Sequence, residues 1–408
     1  MLSILYIDPG TGSALFSIAI GVAATLFFVF QALWIRLKTF ILGGKALKIS
    51  KHYHDYVIYC EGRQYVNVFK PVLEEFESRG IELLYLTGAE DDPAMTAGYV
   101  NIKCEYIGEG NRAFARLNFL SAGIVLITTP GLDVFQLRRS KNVKHYMHIL
   151  HAISDFPGYT LFGHDYFDSI LLTADYQKNM IRKLERIRNL PQKQLIVAGC
   201  TYLDVFAEKI KQIPQEEKKF FTVLVSPSWG ESALLSRYGE RLLDPLAKTG
   251  WRIIVRPHPQ SRQSEKSLLA KLQQKYENIP AIEWNYDSEN IFVLAKSDVM
   301  ISDFSGIIFD YIALFNKPVI YANEKIDLRP YNTFFLNKED YWPLNALKRF
   351  GIELKEENFE FLRDIITRAV KDKTMKEARK WTKDNAWQHQ GGSGKIVADY
   401  MIQVKGGL

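Results

Sequence analysis

Arg256-Pro257-His258-Pro259 stands at the end of an apolar run, Trp251-Arg252-Ile253-Ile254-Val255. A guanidinium offers a fork of donors that matches phosphate oxygens, and an imidazole two residues on adds one more. Proline fixes φ, so two prolines around the histidine stiffen the strand exit and hold the pair in one geometry. The pattern points to a phosphate grip. A second candidate is Ser302-Asp303-Phe304-Ser305-Gly306, where a predicted strand, 298–302, gives way to a helix from about Phe304. Ser302 or Asp303 is expected to cap that helix, with Ser305 in its first turn. Ser302, Ser305 and the amides near Gly306 suit a phosphate at a helix N-terminus, and Gly306 allows close approach. Asp303 would repel phosphate, so it is expected to orient a hydroxyl, a base or a basic side chain. Asp310, among Phe309 and Tyr311, reads as structural.

The loop Val225–Leu234, VSPSWGESAL, also follows a predicted strand. Ser228 and Gly230 suit phosphates or sugar edges, and Trp229 either packs or joins them. His145, His148 and His151 recur every three residues. On a helix they would share a face and suggest a metal, but no nearby cysteine completes a site. A strand ending near Leu150 is favoured, which sets His151 at the tip, facing a cleft, as a general base; His148 is the alternative base. The chain has no Asp-x-Asp triplet for a metal-bound diphosphate. Gly108–Ala113 fits GxGxxA, but Glu109 between the glycines is a poor neighbour for pyrophosphate.

These residues need strands to carry them. The 408 residues suggest two domains, and short, continuously apolar runs alternate with helical patterns in both halves. Such runs indicate parallel sheets covered on both faces, hence two doubly wound Rossmann-like domains facing a cleft. The expected division is an N-terminal membrane anchor, 1–38; an acceptor-side domain, 39–215; a donor domain, 216–375; and a C-terminal helical segment, 376–408, broken at 389–395.

The anchor is the run ALFSIAIGVAATLFFVFQALWI, 14–35, long enough as a helix to cross the hydrocarbon core. Arg36, Lys38, Lys45, Lys48 and Lys51 follow it, and no Lys or Arg precedes it, so the N-terminus is expected outside and the domains on the cytoplasmic side of the inner membrane. Three scattered cysteines, Cys60, Cys104 and Cys200, read as free thiols. A net charge of +6 is too weak to indicate nucleic acid.

RPHP (256–259) and SDFSGIIFD (302–310), in this order and spacing, resemble motifs of the CDP-glycerol glycerophosphotransferase family, the teichoic-acid-type polyol-phosphate transferases. SPSWGES (226–232) resembles a third segment of that family. The family's WHG histidine is matched by His151 in ILHA, with Leu150 in place of Trp and Ala152 in place of Gly. The resemblance runs from about Gly123 to Met401 and implies a GT-B fold and transfer of glycerol phosphate or a related polyol phosphate. The donor would be CDP-linked, the acceptor a hydroxyl of a lipid-linked or polymeric glycan precursor, and the leaving group CMP, with no obligatory metal or cofactor. His151 and His258 are the catalytic candidates, and Arg256, Ser302, Asp303, Ser305, Gly306, Ser228 and Trp229 the donor-binding ones. Two alternatives stand beside this: a nucleotide-sugar glycosyltransferase on the same fold in surface polysaccharide synthesis, and a non-catalytic membrane-tethered binding protein.

Overall fold

The computed structural model describes residues 53–153, 159–214, 220–287, 289–322 and 342–408, together with Phe30, Leu33 and Trp34. The predicted anchor, 14–35, therefore lies outside the described residues apart from those three. Among the described residues no helix is long and apolar enough to cross a membrane.

The first half builds a seven-stranded sheet from β1 (His54–Cys60), β2 (Leu83–Thr87), β3 (Ile102–Tyr106), β4 (Ala122–Ile127), β5 (Val143–Ile149), β6 (Ser169–Leu172) and β7 (Gln194–Val197). The strand order is β3-β2-β1-β4-β5-β6-β7, and each pairing is parallel. The central strands are apolar on both faces because both faces are covered. Ile58, Ile124 and Met147 pack on one side, under helix α1 (Val66–Ser78). Val57, Val125 and Tyr146 pack on the other, with Met180 and Leu184 of α2 (Tyr176–Ile187). Helix α3 (Thr201–Lys211) closes this half.

The second half repeats the scheme with β8 (Thr222–Val225), β9 (Arg252–Val255), β10 (Ile282–Trp284), β11 (Val299–Ser302), β12 (Val319–Tyr321) and β13 (Gly351–Glu353). Their order is β10-β9-β8-β11-β12-β13, again parallel throughout. Val223, Ile253 and Ile301 bury against α4 (Leu234–Ala247), while Leu224, Ile254 and Met300 bury against α5 (Ile307–Phe315).

The C-terminal stretch divides into α6 (Lys373–Ala386) and α7 (Ser393–Gly406). Helix α6 stays with the second sheet, where Arg379 donates to the Asn316 carbonyl at 3.3 Å. Helix α7 returns to the first domain, and Val397, Ala398 and Met401 complete the core beneath α1. Gly394 lets it approach, since a Cβ there would lie 2.6 Å from Pro71 of α1. The crossing is pinned by Asp204 of α3, whose carboxylate accepts from Trp387 Nε1 at 3.0 Å and from the amides of Gly391 and Ser393 at 2.8 and 3.0 Å.

Both sheets reverse their winding once, between β1 and β4 and between β8 and β11. At such a reversal, connections leave to opposite faces and open a crevice outside the strands' carboxyl ends. The two crevices face each other.

Candidate functional site

Loops at and beside the two reversals line one cavity of about 630 Å³, within the range of small-molecule sites. From the first domain come Arg63, Gln64 and Tyr65 after β1 and His151 after β5; from the second come Ser226 and Pro227 after β8, Arg256–Pro259 after β9, and Ser305–Ile307 at the start of α5. Of the residues singled out in the sequence, the fold thus brings His151, Arg256, His258, Ser305 and Gly306 to one cleft.

Arg256 is nearly buried, and its guanidinium is already held. It donates to Asn285 Oδ1, and at 2.8 Å to the Asp287 carbonyl. Burial lowers its pKa, opposed by Asp287 and Tyr202; a guanidinium nonetheless stays charged. It therefore presents a fixed cation to the cavity. At His258 the turn made by the two prolines brings the Gln260 amide to Nδ1 at 3.1 Å. A ring nitrogen that accepts carries no proton, so Nε2 holds it and is the donor. Burial lowers the His258 pKa, with Glu265 acting the other way, which keeps the ring neutral. Beside them α5 begins at Ile307, with Gly306 as its N-cap and no side-chain cap. Its first amides lack intrahelical partners and favour negative charge.

Across the cleft His151 follows the tip of β5, as expected for a strand rather than a helix. Its Nδ1 lies 3.3 Å from Thr128 Oγ1, which leaves Nε2 for the cavity, and the Tyr65 ring meets it edge-on at 5.1 Å. Burial lowers its pKa to about 4, so the imidazole is neutral at neutral pH and can accept a proton.

The other candidates do different work. Ser302 is fully buried, and its hydroxyl donates to the Ser226 carbonyl at 2.5 Å. Asp303 is also fully buried; it accepts from the amides of Ser228 (2.9 Å), Ser305 (3.1 Å) and Leu234 (2.8 Å). It ties β11 to the loop after β8 and to the first turn of α4, and neither residue lines the cavity. The helix predicted from Phe304 starts three residues later because Asp303 holds the intervening turn. Ser228 is buried behind the same wall, its hydroxyl without a hydrogen-bond partner. Trp229 is half exposed at the rim, its ring 6.4 Å from that of His258. His148 points away from the cleft. It is wholly buried, 3.2 Å from His164 between Nε2 atoms and against Phe167, so the alternative base is out of reach of the cavity. His145 contacts Ser169 Oγ at 2.6 Å. Among the described residues no three His, Cys, Asp or Glu side chains gather to hold a metal ion.

Asp310, which reads from the sequence as structural, opens on the cleft as well. It lines the cavity one turn into α5, nine-tenths buried, with Oδ1 lacking a hydrogen-bond partner. Burial raises its pKa to about 7. Its spacing of four from Gly306 was the available signal, since i and i+4 share a helix face. Likewise Arg63, Gln64 and Tyr65 follow a strand just as Arg256 does.

Comparison with known proteins fits this arrangement. Residues 169–400, more than half of the chain, match the family described as CDP-glycerol:poly(glycerophosphate) glycerophosphotransferase. The minor teichoic acid biosynthesis protein GgaB of Bacillus subtilis is 27% identical over 191 residues, 46% of this chain and 18% of that protein, so the chain spans less than a fifth of that relative's length. Among solved structures, a variant of the wall teichoic acid polymerase TagF soaked with CDPG superposes with a TM-score of 0.57 at 12% identity, covering 94% of this chain and 97% of that one. UDP-GlcNAc 2-epimerase from Neisseria meningitidis, bound to UDP-GlcNAc, gives 0.57 at 16% identity, covering 85% and 100%. At these identities the structures establish a shared α/β GT-B-like fold. With the family match spanning α3, the whole second domain and the first half of the returning helix, the chain belongs to the CDP-glycerol:poly(glycerophosphate) glycerophosphotransferase family.

Proposed function

We propose that the protein transfers glycerol phosphate, or a related polyol phosphate, from a CDP-linked donor to an acceptor hydroxyl, releasing CMP. The observation that carries this reading is the pairing across one cleft of a neutral imidazole, His151, with a preformed anion cradle of Arg256, His258 and the α5 amides. The donor diphosphate lies in the cradle, and the acceptor enters along the first domain. His151 Nε2 takes the acceptor proton as that oxygen bonds to the β-phosphorus. The bond from this phosphorus to the oxygen retained by CMP breaks. Arg256 and the Nε2–H of His258 bear the charge that develops on the transferred and leaving phosphates. This scheme calls for no metal. The run 14–35 anchors the chain in the inner membrane with both domains on the cytoplasmic side, and the acceptor is lipid-linked.

The test is CMP release from CDP-glycerol and CDP-ribitol in the presence of hydroxyl-bearing glycolipid acceptors, beside UDP-sugars as competing donors. Turnover with a CDP-polyol, abolished in His151→Ala, supports the reading. Turnover with UDP-sugars alone would make the protein a glycosyltransferase, and binding of donor without turnover under any acceptor would make it a binding protein.

A further inference from the structure

His151 is carried by a short loop whose own side chains do little to hold it. Leu150, Ala152 and Ile153 around it are all apolar. Ile153 is wholly buried, and it joins Cys200 and Leu203 with Ile308, Phe309 and Ile312 of α5 in one apolar core. The loop that bears the base therefore runs into the seam between the two domains.

A tyrosine at the start of α2 reaches that loop. Tyr176 Oη donates to the Ile153 carbonyl at 2.5 Å. The hydroxyl is itself oriented, because it accepts from Gln177 Nε2 at 3.3 Å. Gln177 is wholly buried, and its Oε1 accepts from the Thr173 amide at 2.8 Å, just after β6. The Tyr176 ring lies on the indole of Trp342, with centroids 4.0 Å apart and planes 23° from parallel. Trp342 opens the helix Trp342–Phe350 of the second domain. It also meets Phe309 of α5 at 5.3 Å. Phe309 lies three residues beyond Gly306, the N-cap of the helix end that faces the donor side of the cleft. Such aromatic contacts fix a geometry as well as bury area. Tyr176, Trp342 and Phe309 thus form a row of three rings between the loop of His151 and the phosphate cradle.

We infer that Tyr176 is a positioning residue: its hydroxyl fixes the loop that carries His151, and its ring, through Trp342, sets that base against the cradle of the other domain. The three rings are not among the residues that line the cavity, so they act through others. A base must come within hydrogen-bond reach of the proton it takes. Here base and phosphate grip belong to different sheets, so their separation depends on what braces the seam. A misplacement of about 1 Å costs about 100-fold in rate. The inference rests on the transfer reading proposed above, with His151 as the base.

The full chain is tested in two ways. Steady-state kinetics use whichever donor and acceptor the wild type turns over. Tyr176→Phe keeps the ring and loses the hydroxyl, and should lower kcat about tenfold with donor KM and melting temperature unchanged. Trp342→Ala should lower kcat about 100-fold, and Trp342→Phe, which keeps a ring in the row, should recover most of that. Hydrogen–deuterium exchange, which needs no donor, should be several-fold faster in 150–153 of Tyr176→Phe and unchanged in 254–260. Wild-type kcat in Tyr176→Phe overturns the inference, as does wild-type exchange in 150–153. So does a fall in kcat that comes with a higher donor KM and a lower melting temperature, which would make Tyr176 merely structural. If Trp342→Ala fails to fold, Tyr176→Phe and Trp342→Phe still decide. A wild type inactive with every CDP-polyol would refute the proposed transfer, and exchange in 150–153 would still decide whether Tyr176 holds the loop.

Discussion

The Gln260 amide donates to Nδ1 of His258 at 3.1 Å, and this one contact decides which imidazole nitrogen carries the proton. The consequence is directional, because only a group that donates from the Nε2 position can replace His258. His258→Ala should lower kcat/KM for the CDP-linked donor about 100- to 1,000-fold, the usual cost of losing one donor to developing charge. His258→Gln, whose amide nitrogen reaches near Nε2, should recover part of that loss. His258→Asn should recover less. Steady-state CMP release on the three variants checks the order, and equal activity of the Gln and Asn variants would refute the tautomer argument.

The base limb of the pH profile should lie low. With its pKa near 4, His151 is already deprotonated above that pH, so activity should not fall between pH 8 and 5 on its account, and should decline as the pH drops through about 4. His151→Ala should cost about 100- to 10,000-fold in kcat, as expected for a lost general base. A limb centred near 6.5 would place the titrating histidine elsewhere.

Asp310 should make stability depend on pH in a definite sense. Its folded pKa is raised from 3.8 to about 7, so the folded state holds this proton more tightly than the unfolded chain. The group's contribution is best below about pH 4 and is lost as pH rises through 7, a cost on the order of 4 kcal/mol at most. Asp310→Asn should therefore melt higher than wild type at pH 8, and the difference should shrink toward pH 5. Thermal melts of both proteins at the two pH values decide this.

Arg256 and Asp303 should fail in different ways. Asp303 anchors three amides from a fully buried position, so Asp303→Ala should lower stability by about 2–4 kcal/mol, as for other buried hydrogen-bonded charges. Arg256→Lys cannot reach both Asn285 and the Asp287 carbonyl while facing the cleft. Its donor KM should rise about tenfold, a loss of roughly 1.4 kcal/mol, with the melting temperature little changed. Unfolding curves and donor KM, measured together, separate the two roles.

Much of this was legible in the sequence, for a physical reason. Strands buried on both faces read as unbroken apolar runs, so β1, β4, β8, β9 and β11 announced themselves, and a parallel sheet puts their downstream residues at a ligand edge. The strands with the weakest such signal, β3 and β13, each lie at an edge of their sheet. β3 interleaves Lys103 and Glu105 with apolar residues, and β13 is three residues long. At the site, side-chain type indicated which residues favour phosphate but not which way they face. Ser302, Asp303 and His148 have suitable chemistry and are turned inward, while Asp310 reads as core and opens on the cavity. That distinction depends on register and packing, which one sequence does not display.

The return of α7 to the first domain also bears on how the molecule is made. Residues 397–401 close a core begun at Tyr56, so the first domain stays without one wall until the second domain and α7 have left the ribosome. Domains emerging at about 5–20 residues per second ordinarily fold in order of appearance. Here the second domain can finish first, while the first half waits for α7 to complete its core.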